Sequence, residues 1–448
     1  MNKNKLIFAI IGWIILVFIL FVVSWLNKGT EKKNTNKWQW DFSIWMIWKN
    51  KDWLTSVVDD FKKINKKYSN TNIKVETFSS YSDYQLALTA WIIDNKAPDI
   101  FVLNNNEKHS IFENQAYWIN PKVINPNDFR KKFKWVFADD LILTDWEWEK
   151  KVEYLKWIPV WYETLWVFYN RRYVKAADLW SLSSLNNVVA DLKEKKPNLI
   201  PIWIWNWSTV LWSEDIITQF FMFEDGVSSL SDVTSTKMKQ WLASYLQYWN
   251  INWDNGYNSR FAELSKFWQT SLDLFSKWET FMVVGYPSLI DEIYKKWFSK
   301  NFLEAAPFPH YFSWNWKTLV NYDYFVINKD TKNLDLSNAF MLYLSSDNWA
   351  ENFLKWFKYY LPALLSLESD KLDEKISDNF NIVLKDFYNN DYELSSFDKW
   401  IKSTYDKEII SILDNASNYE NEFLGFQKKI LCNATKISSF ENLSKSCE

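Results

Sequence analysis

The period of the hydrophobic positions changes in a regular order along the chain. Phe42-Ser43-Ile44-Trp45-Met46-Ile47 is a short apolar run, as in a buried strand. Leu54, Val57, Val58, Phe61 and Ile64 then recur at helical spacing. Residues 73–78 alternate as a strand does, and Tyr81, Tyr84, Leu88 and Ile92 mark a second helix. Asp99-Ile100-Phe101-Val102-Leu103 reads as a third strand. This β-α-β-α-β order predicts an α/β fold, with a parallel sheet covered by helices on both faces. Ligands on such sheets bind beyond the carboxyl ends of the strands. The loops after Ile47 and Leu103, carrying Asn50 and Asn105, are therefore candidate site loops, and each of their residues equally suits a solvated turn.

Residues 165–320 read as more helical, with short strands. Met238, Leu242, Tyr245 and Leu246 form one apolar stripe, read as core. Residues 281–285 and 324–327 read as buried strands, and the chain from Leu336 onward as mostly helical.

The N-terminus carries a different pattern. Residues 6–26 form a run of 21 residues without charge, long enough to span roughly 31 Å of a bilayer core of about 30 Å. Such a run is longer than the usual signal-peptide core, and no clear small-x-small cleavage site follows. It predicts an uncleaved transmembrane helix anchoring residues 1–30, with a cleaved signal as the alternative. Lys3 and Lys5 precede it and Lys28, Lys32, Lys33 and Lys37 follow, so flanking charge does not orient it. Residues 31–40 are polar and read as a tether. The bulk of the chain is expected outside the cytoplasm. Cys432 and Cys447 are a candidate disulfide there, with two unpaired thiols as the other reading.

Composition then alters the picture. The chain of 448 residues holds 31 Trp and 6 Gly, whereas average usage of roughly 7% would give about 31 Gly. Trp on the order of 1% would give about five. The two counts look exchanged. Many Trp lie where turns want glycine: Trp314 and Trp316 in Ser-Trp-Asn-Trp-Lys, Trp146 and Trp148 in a charged segment read as a loop, and Trp349 after Asp347-Asn348. We read most of them as glycine in the source organism, encoded by UGA reassigned from its usual meaning. A Trp-rich carbohydrate-binding surface is the competing reading.

Lys and Arg total 52 against 55 Asp and Glu, for a net charge of -3. That balance disfavours a broad nucleic-acid surface. Two His and two Cys leave little for a metal cluster, and His109 and His310 read as isolated surface residues. There is no nucleophile elbow, phosphate-binding glycine loop or HExxH. No cofactor and no catalytic residues are expected.

With glycine at the suspect positions, residues 156–173 become Lys-Gly-Ile-Pro-Val-Gly-Tyr-Glu-Thr-Leu-Gly-Val-Phe-Tyr-Asn-Arg-Arg-Tyr. This resembles a segment of the family 1 extracellular solute-binding proteins of ABC importers, the maltose-binding-protein-like group. Three further segments agree in order: Ala97-Pro98-Asp99-Ile100-Phe101; residues 278–287, read Gly-Glu-Thr-Phe-Met-Val-Val-Gly-Tyr-Pro; and Ala306-Pro307-Phe308-Pro309 with Asn321-Tyr322-Asp323-Tyr324. The resemblance covers about 41–362. It implies two α/β lobes, the periplasmic-binding-protein-like fold, joined by hinge crossings. The expected division is 41–160 and 323–360 for lobe 1, and 161–322 and 361–448 for lobe 2, ending in a helical tail.

The resemblance further implies capture of a small solute, expected to be a sugar or oligosaccharide, and its delivery to ABC permease subunits. Glu163 takes the place of a ligand-contacting acidic residue, beside Tyr162. Asn206 and Ser208 lie in a loop read Gly-Asn-Gly-Ser. Tyr286, Tyr322 and Tyr324 are the aromatic candidates. The chain departs from the family at Ser288, where a ligand-stacking aromatic usually follows the Gly-Pro. A cell-surface adhesin would lack an interlobe cleft, and an extracytoplasmic carbohydrate-active enzyme would need two carboxylates facing one cleft.

Overall fold

The structure, a computed structural model, describes residues 42–47, 51–78, 80–105, 112, 114–147, 150–196, 199–204, 210, 212–223, 248, 270–310, 317–349, 360–367 and 394–395. The expected anchor at 1–30, the tether, the 238–246 stripe, His109 and both cysteines lie outside them. Among the described residues no helix is long and apolar enough to cross a membrane.

The N-terminal alternation folds as read. Strands β1 (Phe42–Met46), β2 (Ile73–Thr77) and β3 (Ile100–Asn104) run parallel, with β1 central: Ile44 faces Val75 on one side and Ile100 on the other. Helix α1 (Lys51–Ile64) buries Trp53, Leu54, Val57, Val58 and Phe61, one stripe at helical spacing. Helix α2 is Tyr81–Ile93. Asp99 ties the loop before β3 to its neighbours, its Oδ2 accepting from the Ser43 N–H at 2.8 Å.

Five further strands join this sheet: β7 (Ile158–Thr164), the long β12 (Thr318–Asn328), β13 (Leu361–Pro362), and two short strands paired to β12, β4 (Ala116–Tyr117) and β14 (Leu394–Ser395). Its order is β13-β7-β12-β3-β1-β2, and β12 runs antiparallel to both β3 and β7. The β12–β7 register shifts between Asp323 and Tyr324. Helices α3 (Pro126–Lys132), α4 (Trp135–Leu141) and α9 (Leu334–Leu344) belong to this part; Phe61 of α1 meets Phe340 of α9 at 5.2 Å.

A second, four-stranded sheet contains β11 (Leu303–Pro307), β8 (Trp166–Asn170), β10 (Thr280–Gly285) and β9 (Ile200–Trp203), in that order. Helix α5 (Leu182–Lys195) buries Leu182, Leu185, Val189 and Leu192 against it. Helices α6 (Ser213–Met222), α7 (Ser271–Ser276) and α8 (Leu289–Lys295) complete it.

The chain passes between the sheets over very short distances. Only Leu165 separates β7 from β8. On the return, the Gln219 amide of α6 holds the head of β12, donating to the Lys317 carbonyl at 2.9 Å and accepting from the Leu319 N–H at 2.8 Å. Leu319 belongs to one apolar core and Val320 to the other. Against the expected division at 160/161, the larger sheet thus keeps β7 through Thr164, and it also takes β13.

Two local expectations are corrected. The segment around Trp146 is not a loop: β5 (Ile142–Glu147) and β6 (Lys150–Leu155) pair as a hairpin, Leu143 opposite Tyr154 and Thr144 opposite Glu153. His310 is buried rather than at the surface, and burial lowers its pKa to about 4 by disfavouring the imidazolium. Trp349 is buried, its indole donating to the Leu344 carbonyl at 2.7 Å.

Candidate functional site

Strand alternation decides which polar groups of β7 and β12 share a face. Opposite each other stand Glu163 and Asn321, then Tyr162 and Tyr322, then Trp161 and Asp323. Glu163, Asn321, Asp323 and Trp161 therefore lie on one face, and Tyr162 and Tyr322 on the other. Asp323 is also opposite Asn104 of β3, whose Nδ2 donates to Oδ1 at 2.6 Å.

The polar face meets the end of β10 and the start of α8. Glu163 Oε1 accepts from the Ser288 N–H at 3.4 Å. Next to Ser288, Tyr286 donates its hydroxyl to Asp215 Oδ2 of α6 at 3.1 Å. Glu163, Asp215, Asp323 and Tyr286 are all buried. Burial, followed by repulsion from Asp323, pushes the Glu163 carboxyl from an ordinary 4.5 up to about 8, while the bonds from Ser288 act the other way. Burial also raises the Tyr286 and Tyr360 hydroxyls well above the usual range, helped in both by nearby carboxylates. The result is a desolvated cluster of carboxylates and phenols between elements of two sheets. It offers hydrogen-bond acceptors to a ligand's hydroxyls. Among the described residues, no group of three or more His, Cys, Asp and Glu is placed to hold a metal ion.

Of the residues singled out from sequence, the structure brings Glu163 and Tyr286 to this cluster. Tyr162 and Tyr322 pack instead on Phe137, at 5.7 and 5.0 Å between ring centroids, and Tyr322 donates to Asp140 Oδ2 at 2.8 Å. Tyr324, beyond the register shift, stacks on Trp157 at 4.2 Å and 8°. Asn105 is engaged by backbone: Nδ2 donates to the Val320 carbonyl at 3.0 Å and Oδ1 accepts from the Tyr322 N–H at 2.8 Å. Asn50, Asn206 and Ser208 lie outside the described residues. Sequence reasoning passed over Asp215, and it did not mark Asp323 or Ser288 as partners of Glu163. The alternation Asn321, Asp323 against Tyr322 was the available signal for Asp323.

The profile of the bacterial extracellular solute-binding protein family matches residues 57–381. No curated protein matches the chain. Among solved structures, the sugar-binding protein MalE from the phytopathogen Xanthomonas citri is similar with a TM-score of 0.66 at 16% identity, over 90% of this chain and 100% of that one. A maltodextrin-binding protein from L. casei BL23, without ligand, gives 0.62 at 15%, over 87% and 98%. A cyclo/maltodextrin-binding protein complexed with maltotetraose gives 0.65 at 12%, over 89% and 97%. The fold is the α/β two-lobe type of these proteins.

Proposed function

This chain belongs to the bacterial extracellular solute-binding proteins, and we propose that it captures a carbohydrate between its two lobes and delivers it to an ABC permease. One observation carries the reading: Glu163 of β7, in the larger sheet, shares a buried polar cluster with Ser288, Tyr286 and Asp215, which belong with the smaller one. Carboxyl and phenol oxygens accept hydrogen bonds from sugar hydroxyls, and a carboxyl that keeps its proton can also donate one. The sugar, maltodextrin and maltotetraose ligands named for the similar structures favour carbohydrate over other solutes.

In this reading Glu163, Asp323, Asp215 and Tyr286 contact the solute, together with Asn206 and Ser208. The hinge lies at Leu165 and Leu319–Val320. The N-terminal apolar run anchors the protein on the extracytoplasmic face. Glycine at most of the Trp positions belongs to the same reading, because it restores the family's segments. Binding proteins of this family capture and release, and no chemical step is assigned.

A thermal-shift screen over maltose, maltotetraose, other sugars, peptides and polyamines tests the proposal. A maltooligosaccharide is expected to raise the melting temperature and be recovered intact. A shift with peptides or polyamines alone would remove carbohydrate, and saccharide cleavage would replace capture with catalysis.

A further inference from the structure

Three helix ends bear on the tryptophan excess. Helix α2 ends with Asn95 in the left-handed region, at φ 54°. The Asn95 N–H reaches the Ile92 carbonyl at 3.1 Å, and the Lys96 N–H the Trp91 carbonyl at 2.8 Å. This pair of bonds is the Schellman ending, whose left-handed residue is usually glycine and sometimes asparagine. Helix α7 ends in the same way on Trp278, at φ 63°: Trp278 N–H to Phe275 at 3.0 Å, Glu279 N–H to Leu274 at 2.8 Å. Helix α8 does so on Trp297, at φ 66°: Trp297 N–H to Tyr294 at 3.0 Å, Phe298 N–H to Ile293 at 3.4 Å. Trp297 is 94% exposed, so no packing accounts for its indole.

The remaining left-handed non-glycine among the described residues is Trp212, at φ 57°, directly before α6. A β-carbon at such φ crowds the following carbonyl, and glycine has none. Asparagine eases the fit with its short polar side chain; an indole has no such means. Trp212 also stands at the polar cluster. Its ring meets Tyr286 edge-on at 5.6 Å, and it fills the space over Gly285 so closely that a Cβ there would lie 2.8 Å from it. Leu289 closes the other side at the same distance.

We propose that positions 212, 278 and 297 are glycine in the protein as its source organism makes it, and that glycine at 212 opens a solute subsite beside Tyr286 and Asp215. Without the indole, Gly285, Tyr286 and Leu289 wall a hollow with an aromatic face on one side. Asp215 accepts from the Tyr286 hydroxyl, and a carboxylate offers about four acceptor sites. A sugar ring suits that pairing, with its C–H face on the phenol and a hydroxyl on the carboxylate. The subsite rests on the solute-binding reading; the glycine assignment does not.

Two measurements test the two parts. Cleavage after lysine of the protein purified from source cells releases peptide 278–295, which is weighed. The glycine mass is expected, and the tryptophan mass overturns the assignment. For the subsite, full-length chains with glycine at 278 and 297 carry Trp, Gly or Ala at 212, and circular dichroism establishes their folding. Binding of maltose and maltotetraose is then titrated calorimetrically. Trp212→Gly is expected to bind about tenfold more tightly or better, with Trp212→Ala close behind because it also empties the hollow. Equal affinity for all three overturns the subsite. If the Trp212 chain does not fold, the Gly and Ala chains are compared with a Trp212→Leu chain, which refills the hollow and is expected to bind weakly. Absence of binding in every chain removes the subsite and the carbohydrate reading together, while the peptide mass still decides the glycine.

Discussion

Glu163 and Ser288 meet at 3.4 Å, the carboxylate of a strand in the larger sheet accepting from a backbone N–H at the head of α8. Because burial raises the Glu163 pKa to about 8, the folded state keeps a proton that the unfolded chain releases near its ordinary value. Between about pH 4.5 and pH 8 the folded state therefore binds more protons, and stability falls as pH rises. The loss should be on the order of a few kcal/mol across that window. Urea denaturation at a series of pH values should show this slope, and Glu163→Gln should flatten it. Parallel slopes for both proteins would mean the carboxyl is ionised throughout.

Removing the same carboxylate should weaken solute binding. Below pH 8 the Glu163 carboxyl keeps its proton, and a neutral hydrogen bond contributes about 0.5–1.5 kcal/mol, so Glu163→Ala should lose roughly two- to tenfold in affinity for the saccharide that stabilises the unmodified protein. Calorimetric titration reads the loss, and an unchanged near-ultraviolet spectrum establishes that the fold is kept. Unaltered affinity would take Glu163 out of the site.

Asn105 should matter for stability. Asn105→Ala strands the Val320 carbonyl and the Tyr322 N–H, both buried beside it, at a cost of about 1–3 kcal/mol for each unsatisfied group. The denaturation midpoint should drop accordingly. A drop no larger than that of an exposed Asn→Ala change would contradict the clamp.

In a chain carrying Trp297, the change Trp297→Gly should stabilise. The left-handed conformation costs a residue with a β-carbon about 1–2 kcal/mol, and the exposed indole gives nothing back. Trp297→Ala should recover little, since alanine retains the β-carbon. Equal effects of Gly and Ala, read from thermal melts, would mean that the strain is absent.

The alternating elements were legible because each buries one regular stripe. Leu54, Val57, Val58, Phe61 and Ile64 announce α1; the first four are buried and Ile64, at the helix end, is exposed. Glu163 was reachable through a family segment, but its companions were not. Asp215 and Ser288 come from distant parts of the chain, and only the pairing of two sheets brings them together. Tyr162 and Tyr322 illustrate a finer difficulty. Each neighbours a residue of the polar face, and a displacement of one position along a strand moves a side chain to the other side of the sheet. The sequence places Asn105 in a loop beyond the third strand, where a ligand would bind. Its use depends on where β3 stops beside β12, which local sequence does not encode.

The reach of Asn105 has a consequence for crowds of molecules as well as for one. β3 pairs with β12 only as far as Asn104 opposite Asp323. Past that point, the flank of β12 would present a bare carbonyl at Val320 and a bare N–H at Tyr322, the template to which a foreign strand adds. The Asn105 amide, carrying one donor and one acceptor, occupies both. A single side chain thus counterfeits a strand along the part of β12 that β3 does not reach.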